Sequence, residues 1–99
     1  MNVYHLIRET LFWENTYEEE TIGIFSSKDI AKKYIPINKC NYIDKTDNYD
    51  LWQVKEEFVE SVNSWVNEAE GYIRFKIVKL EMDTISEEYA RQVCNSEKF

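Results

Sequence analysis

One histidine, two cysteines and nineteen acidic residues are the side chains of this sequence with chemistry to offer. His5 alternates with Val3 and Ile7, as neighbours on one face of a strand do. No serine or cysteine near it has the context of a nucleophilic triad, so a structural or surface role is expected. Cys40 and Cys94 show no CxxC spacing, and with His5 they fall short of the four ligands of a structural zinc site. Asp44, Asp47 and Asp50 recur at three-residue intervals and superficially suggest a calcium loop. A calcium loop of the EF-hand kind needs ligands at alternate positions, a central glycine and a terminal glutamate, which this run lacks. Gly23 stands alone, without a glycine-rich turn to cradle phosphate. Glu18, Glu19 and Glu20, with Glu56, Glu57 and Glu60, supply carboxylates, but acid–base work needs a cleft and one raised pKa. No catalytic residue, metal or cofactor is expected, and the chain is read as a non-enzyme.

Charge carries more information. The 99 residues sum to −7. Residues 41–70 hold eight acids against two lysines, and residues 14–20 hold four acids and no base. Residues 28–39 run the other way, with four lysines against Asp29. A chain this acidic repels phosphate, so neither nucleic acid nor an anionic membrane is the expected partner. A basic protein surface is. Phe12 and Trp13, set among acids, have the character of apolar anchors with a polar rim.

The elements that must position these groups follow from periodicity. Asp50 to Ala69 reads as an amphipathic helix, with Leu51, Val54, Phe58, Val59, Val62, Trp65, Val66 and Ala69 inside roughly 160° of arc. Asp50 and Gln53 have capping-box spacing, and Gly71 suits a left-handed end. On the outer face of that helix Glu56, Glu60, Asn63 and Asn67 form a stripe, with like charges about 6 Å apart, a surface that resembles the charge pattern of a nucleic acid. Residues 2–11 and 21–25 read as an antiparallel hairpin with residues 12–20 as a long connection. Ser26 and Asp29 have the spacing of a cap for a first helix, which must stop before Pro36. Residues 36–49 read as a polar connection. Tyr72 to Asp83 reads as the longest strand. Its apolar set changes face after Ile77, which requires a bulge near Ile77–Val78 or cover on the second face. Thr84 to Glu87 opens a C-terminal helix. The expected fold is α+β: one domain over residues 1–99, with a small antiparallel sheet of about three strands in ββααβα order and helices packed on it.

The opening VYHLIRETL…ETIGIFSSKDIAKKYI resembles a pattern in short uncharacterised proteins of low-GC Gram-positive bacteria and their phages. The likeness covers residues 3–35 and implies a shared fold without a known activity. In size, acidity and composition the chain is also similar to phage inhibitors of bacterial defence nucleases, anti-CRISPR proteins among them. No apolar run reaches a signal peptide or the ~20 residues of a membrane span, so a cytoplasmic protein with reduced thiols is expected. The resulting expectation is a small acidic protein-interaction module, an inhibitor of a host nucleic-acid-binding enzyme. Its contact residues are Glu18, Glu19, Glu20, Asp44, Asp47, Asp50, Glu56, Glu57, Glu60, Phe12 and Trp13. The alternative is a small-molecule-binding accessory domain.

Overall fold

A computed structural model describes residues 2–67 and 69–81. It replaces the expected three-stranded α+β arrangement with a sheet of five antiparallel strands in the order β2-β1-β5-β4-β3. The strands are β1 (Asn2–Trp13), β2 (Thr16–Phe25), β3 (Cys40–Lys45), β4 (Tyr49–Val54) and β5 (Tyr72–Glu81). Among the described residues helix is confined to α1 (Lys28–Lys32), α2 (Val59–Val62) and single 3-10 turns at Ile37–Lys39 and Glu56–Phe58. The C-terminal helix expected from Thr84 lies outside the described residues.

The main correction falls on Asp50–Ala69. Its first five residues are not helix but β4, because burial there has period two. Asp50, Trp52 and Val54 are buried, while Leu51 and Gln53 are half-exposed. Trp52, which a helix leaves at the edge of its apolar arc, becomes core at 6% exposure. Beyond Val62 the asparagines compete with helix. Asn63 Oδ1 accepts from the Trp65 N–H at 3.0 Å, and Asn67 Oδ1 accepts from the Ala69 N–H at 2.9 Å. Such local bonds offer the backbone a turn in place of a helical ladder. The stripe Glu56, Glu60, Asn63, Asn67 therefore does not exist as one helix face.

The first hairpin is present but tighter than expected. Residues 12–20 are mostly strand, and only Glu14 and Asn15 turn between the paired Trp13 and Thr16. Asn15 sits at φ 65°. That left-handed conformation costs most residues about 1–2 kcal/mol, whereas asparagine tolerates it and glycine is free of it. Asn15→Val should accordingly lower stability by about 1–2 kcal/mol while Asn15→Gly does not, a contrast read from urea midpoints.

Ser27, not Ser26, caps α1, its Oγ accepting the Ile30 N–H at 3.2 Å. The expected polar connection 36–49 contains β3 and most of a second hairpin, in which Cys40 pairs with Val54 and Lys45 with Asp50. β5 then runs between the two hairpins, antiparallel to β1 from Asn2↔Glu81 to Leu11↔Tyr72. No bulge interrupts this ladder at Ile77–Val78. Val78 and Leu80 instead share the second face with Val3, which is fully buried opposite Leu80. The register shifts fall elsewhere, where Ile22, Phe12 and Ile43 are each one extra residue. One face of the sheet carries the core. Leu6, Phe25, Trp52, Val54, Ile73, Phe75 and Ile77 pack there beneath Ala31 and Ile35, with Val59 and Val66 from the β4–β5 connection.

Candidate functional site

The register places two groups of charged and aromatic residues at opposite ends of the sheet. β1 and β2 turn at Glu14–Asn15, beside the start of β5, since Leu11 pairs with Tyr72. The connection after Val54 leaves the sheet at this same end, and Glu56 lines a cavity with Gly71 and Tyr72. Asn67 N–H donates to the Phe12 carbonyl at 3.0 Å, tying that connection to the hairpin. Val66 is buried beneath it, while Trp65 is 78% exposed. Trp13 and Tyr17 are also exposed, with Phe12 set edge-on to Trp13 at 6.0 Å.

Acids surround these aromatics. Glu9 and Glu19 pair across β1 and β2, and the Tyr17 hydroxyl bridges them at 2.9 and 3.1 Å. Burial, followed by those two carboxylates, pushes the Tyr17 phenol above its ordinary value. Glu20 is paired with Arg8. Among the described residues Glu14, Glu18, Glu56, Glu57 and Glu60 are in no ion pair. Of the residues expected to form one surface, this end gathers Phe12, Trp13, Glu18, Glu19, Glu20, Glu56, Glu57 and Glu60.

Asp44, Asp47 and Asp50 are not part of it. They belong to the β3–β4 hairpin, whose turn lies near Val78 at the other end of the sheet. β3 is also four strand spacings from β2, roughly 19 Å away. Asp44 accepts from the Tyr49 hydroxyl at 3.0 Å. Asp47 is exposed in the turn. Asp50 points inward and is 3% exposed. A buried carboxylate must be paired and hydrogen-bonded. Here Tyr42 donates to Asp50 Oδ1 at 2.5 Å, and the Lys28 ammonium lies 2.7 Å from Oδ2. Burial alone raises the Asp50 pKa, but the bonds from Lys28 and Tyr42 and the charges of Lys28 and Lys45 outweigh it, so the carboxyl sits below its ordinary value. Burial, together with the Asp50 bond, leaves the Tyr42 phenol pushed up to about 12.

Around this triad lies a second candidate site. Lys28 and Lys32 from α1, Tyr42 and Lys45 from β3, and Asp50 and Trp52 from β4 line an open cavity of about 280 Å³. The Tyr42 and Trp52 rings are 5.2 Å apart, and the Lys32 ammonium stands 6.0 Å from the Trp52 ring. Sequence reasoning missed every member except Asp50. Two signals pointed to it: the lysine-rich run 28–39, and an aspartate in phase with Trp52 and Val54.

His5 is half-buried on the second face, its Nε2 2.8 Å from the Thr21 hydroxyl. Burial lowers its pKa, against the opposing charge of Glu19. Cys40 is a buried free thiol whose pKa burial raises, against the charge of Lys55. No helix among the described residues is long and apolar enough to cross a membrane. No protein-family model, curated protein or solved structure matches the chain.

Proposed function

We propose that the chain is a protein-interaction module whose acidic, aromatic end docks on a basic surface of another protein. The observation that carries this reading is the exposure of Trp13, Tyr17 and Trp65 at one end of the sheet, among carboxylates without cationic partners. Exposed tryptophan and tyrosine are the side chains that anchor interfaces. Unneutralised acids beside them favour lysine and arginine on the partner, through charge and through cation–π contact. The nucleic-acid channel of a host defence enzyme is a surface of this kind, and an inhibitor that fills such a channel is the fullest form of the proposal. The function is binding, with no chemical step.

Affinity capture from a host lysate at low and high salt tests it, with variants in parallel. Wild type should retain a basic partner at low salt and release it at high salt, because exposed charges are screened. Trp13→Ala and Trp65→Ala should each weaken retention about tenfold or more, the size of a modest hot spot. Glu18/Glu19→Lys should weaken it further. Asp44/Asp47→Lys, at the other end, should not. Retention of no partner at low salt, or one indifferent to both tryptophans, would sink the idea. The cavity beside Asp50 favours a second reading, ligand binding at the opposite end of the sheet, which stands or falls separately.

A further inference from the structure

We infer that the cavity between α1 and the β3–β4 hairpin binds a phosphate-type dianion, either free phosphate or the phosphate of a small monoester. The chain is strongly acidic overall, yet three lysines from two elements converge here on one opening. Lys28 and Lys32 stand one helical turn apart on α1, so both reach the same side. Lys45 is directly opposite Asp50 in the β3–β4 ladder, and its stem therefore leaves the sheet on the face where Asp50 is buried.

Asp50 does not exhaust this positive charge. Its two oxygens are already taken, one by the Tyr42 hydroxyl and one by Lys28. Lys32 and Lys45 are in no ion pair among the described residues. Among the lining side chains one carboxylate stands against three ammoniums, and a phosphate monoester carries about −1.5 to −2 near pH 7. The bonds to Asp50 fix Lys28 and Tyr42, so part of the site is ordered before any ligand arrives. Trp52, buried under Tyr42 and beside Lys32, gives the cavity an apolar floor, which strengthens charge interactions above it. A volume of about 280 Å³ suits a phosphate with a small organic group. This site is at the far end of the sheet from the acidic aromatics.

The bland alternative is that the lysines merely balance Asp50 and the neighbouring Asp44. Titration separates the two. Amide and indole shifts would be followed by NMR as inorganic phosphate, phenyl phosphate or sodium chloride is added at constant ionic strength. The expected result is a saturable change confined to residues 28–32, 42–45 and 50–52, given by the phosphates and not by chloride. Lys32→Ala and Lys45→Ala should each raise the dissociation constant about tenfold, as loss of one hydrogen bond to a charged group does. Neither lysine is in an ion pair, so both variants should fold. Lys33→Ala, outside the cavity, should bind as the wild type does. Phenyl phosphate binding as well as phosphate or better would identify a monoester site, and phosphate alone a site for the free ion. Linear, unsaturable shifts, shifts matched by chloride, or affinities unchanged by both lysine variants would overturn the inference.

Discussion

Gly71→Ala should lower the melting temperature by roughly 10–20 °C, from an overpacking cost of about 2–3 kcal/mol. The residue is glycine for want of space and not for backbone freedom, since its φ is not positive. A Cβ there would lie 2.2 Å from the Leu11 carbonyl oxygen, 2.6 Å from that of Phe12 and 2.7 Å from Val66 Cγ1. Two of the three obstacles are main-chain atoms of β1, held at the register shift where Phe12 is the extra residue. They cannot turn aside as a side chain can. The close approach is also what seats the β4–β5 connection against the hairpin, because Gly71 N–H bonds to the Asn67 carbonyl at 2.5 Å and Asn67 N–H to Phe12. Thermal denaturation followed by circular dichroism gives the measurement. Adding Val66→Ala removes only one of the three contacts, so it should not restore the loss. An unchanged melting temperature would mean that the β1 carbonyls yield, and rescue by Val66→Ala would mean that only the side chain obstructed. Because the same contacts place Trp65 beside the hairpin, the folded fraction of Gly71→Ala should also bind the basic partner less well.

Gly71 does not end a helix, and the departure from the helical expectation begins at Asp50. From Leu51 to Val54 an apolar set at 100° intervals and an alternating one fit almost equally, because the run is too short to separate the two periods. What separates them is long-range. β5 offers Phe75 and Ile77 opposite Trp52 and Asp50, a partner that appears more than twenty residues later. The same residue parity then turned Asp50 from a helix cap on the surface into a buried ion-pair acceptor. β1, the second half of β2, α1 and β5 were legible because each carries its own signal: alternation, a β-rich run over Thr21–Phe25, or helical spacing of Ile30 and Ala31 behind a serine, one residue from the actual cap. The second hairpin was not, since five of the six β3 residues are exposed and polar character there resembles a loop. The same holds for function. The acid–aromatic end was partly legible, as Phe12, Trp13 and Glu18–Glu20 are contiguous. The lysine cavity draws on three elements, and only the sheet order brings them together.

Asp50 carries the other large expectation. Asp50→Ala should cost about 2 kcal/mol at pH 7, measured from urea midpoints. A fully buried ion pair loses more when broken, about 3–5 kcal/mol. Here the Lys28 side chain is 37% exposed, so its ammonium recovers water when the carboxylate goes, and its contribution is discounted accordingly. Asp50→Asn keeps the volume and an acceptor for Tyr42, and should cost less. Replacing both partners, Asp50→Leu with Lys28→Met, should cost less than Asp50→Ala, since the Lys28 ammonium is then not left without its carboxylate. The sign of the pH dependence follows from the depressed pKa. Asp50 contributes fully above the ordinary unfolded carboxylate value of about 3.9, and the contribution is lost as pH falls through the lower folded value. The gap in stability between wild type and Asp50→Asn should therefore be wide at pH 7 and narrow toward pH 2. Parallel pH profiles would mean that the carboxylate is not held ionised by Lys28 and Tyr42. The substitution also bears on the cavity. With Asn at 50, three lysines face one opening without a counter-charge, so phosphate should bind the variant more tightly than the wild type. By mass action, millimolar phosphate should then return part of the stability that Asp50→Asn loses. Stability and anion affinity would thus move in opposite directions at one residue, as expected where a buried carboxylate occupies part of a site's positive charge.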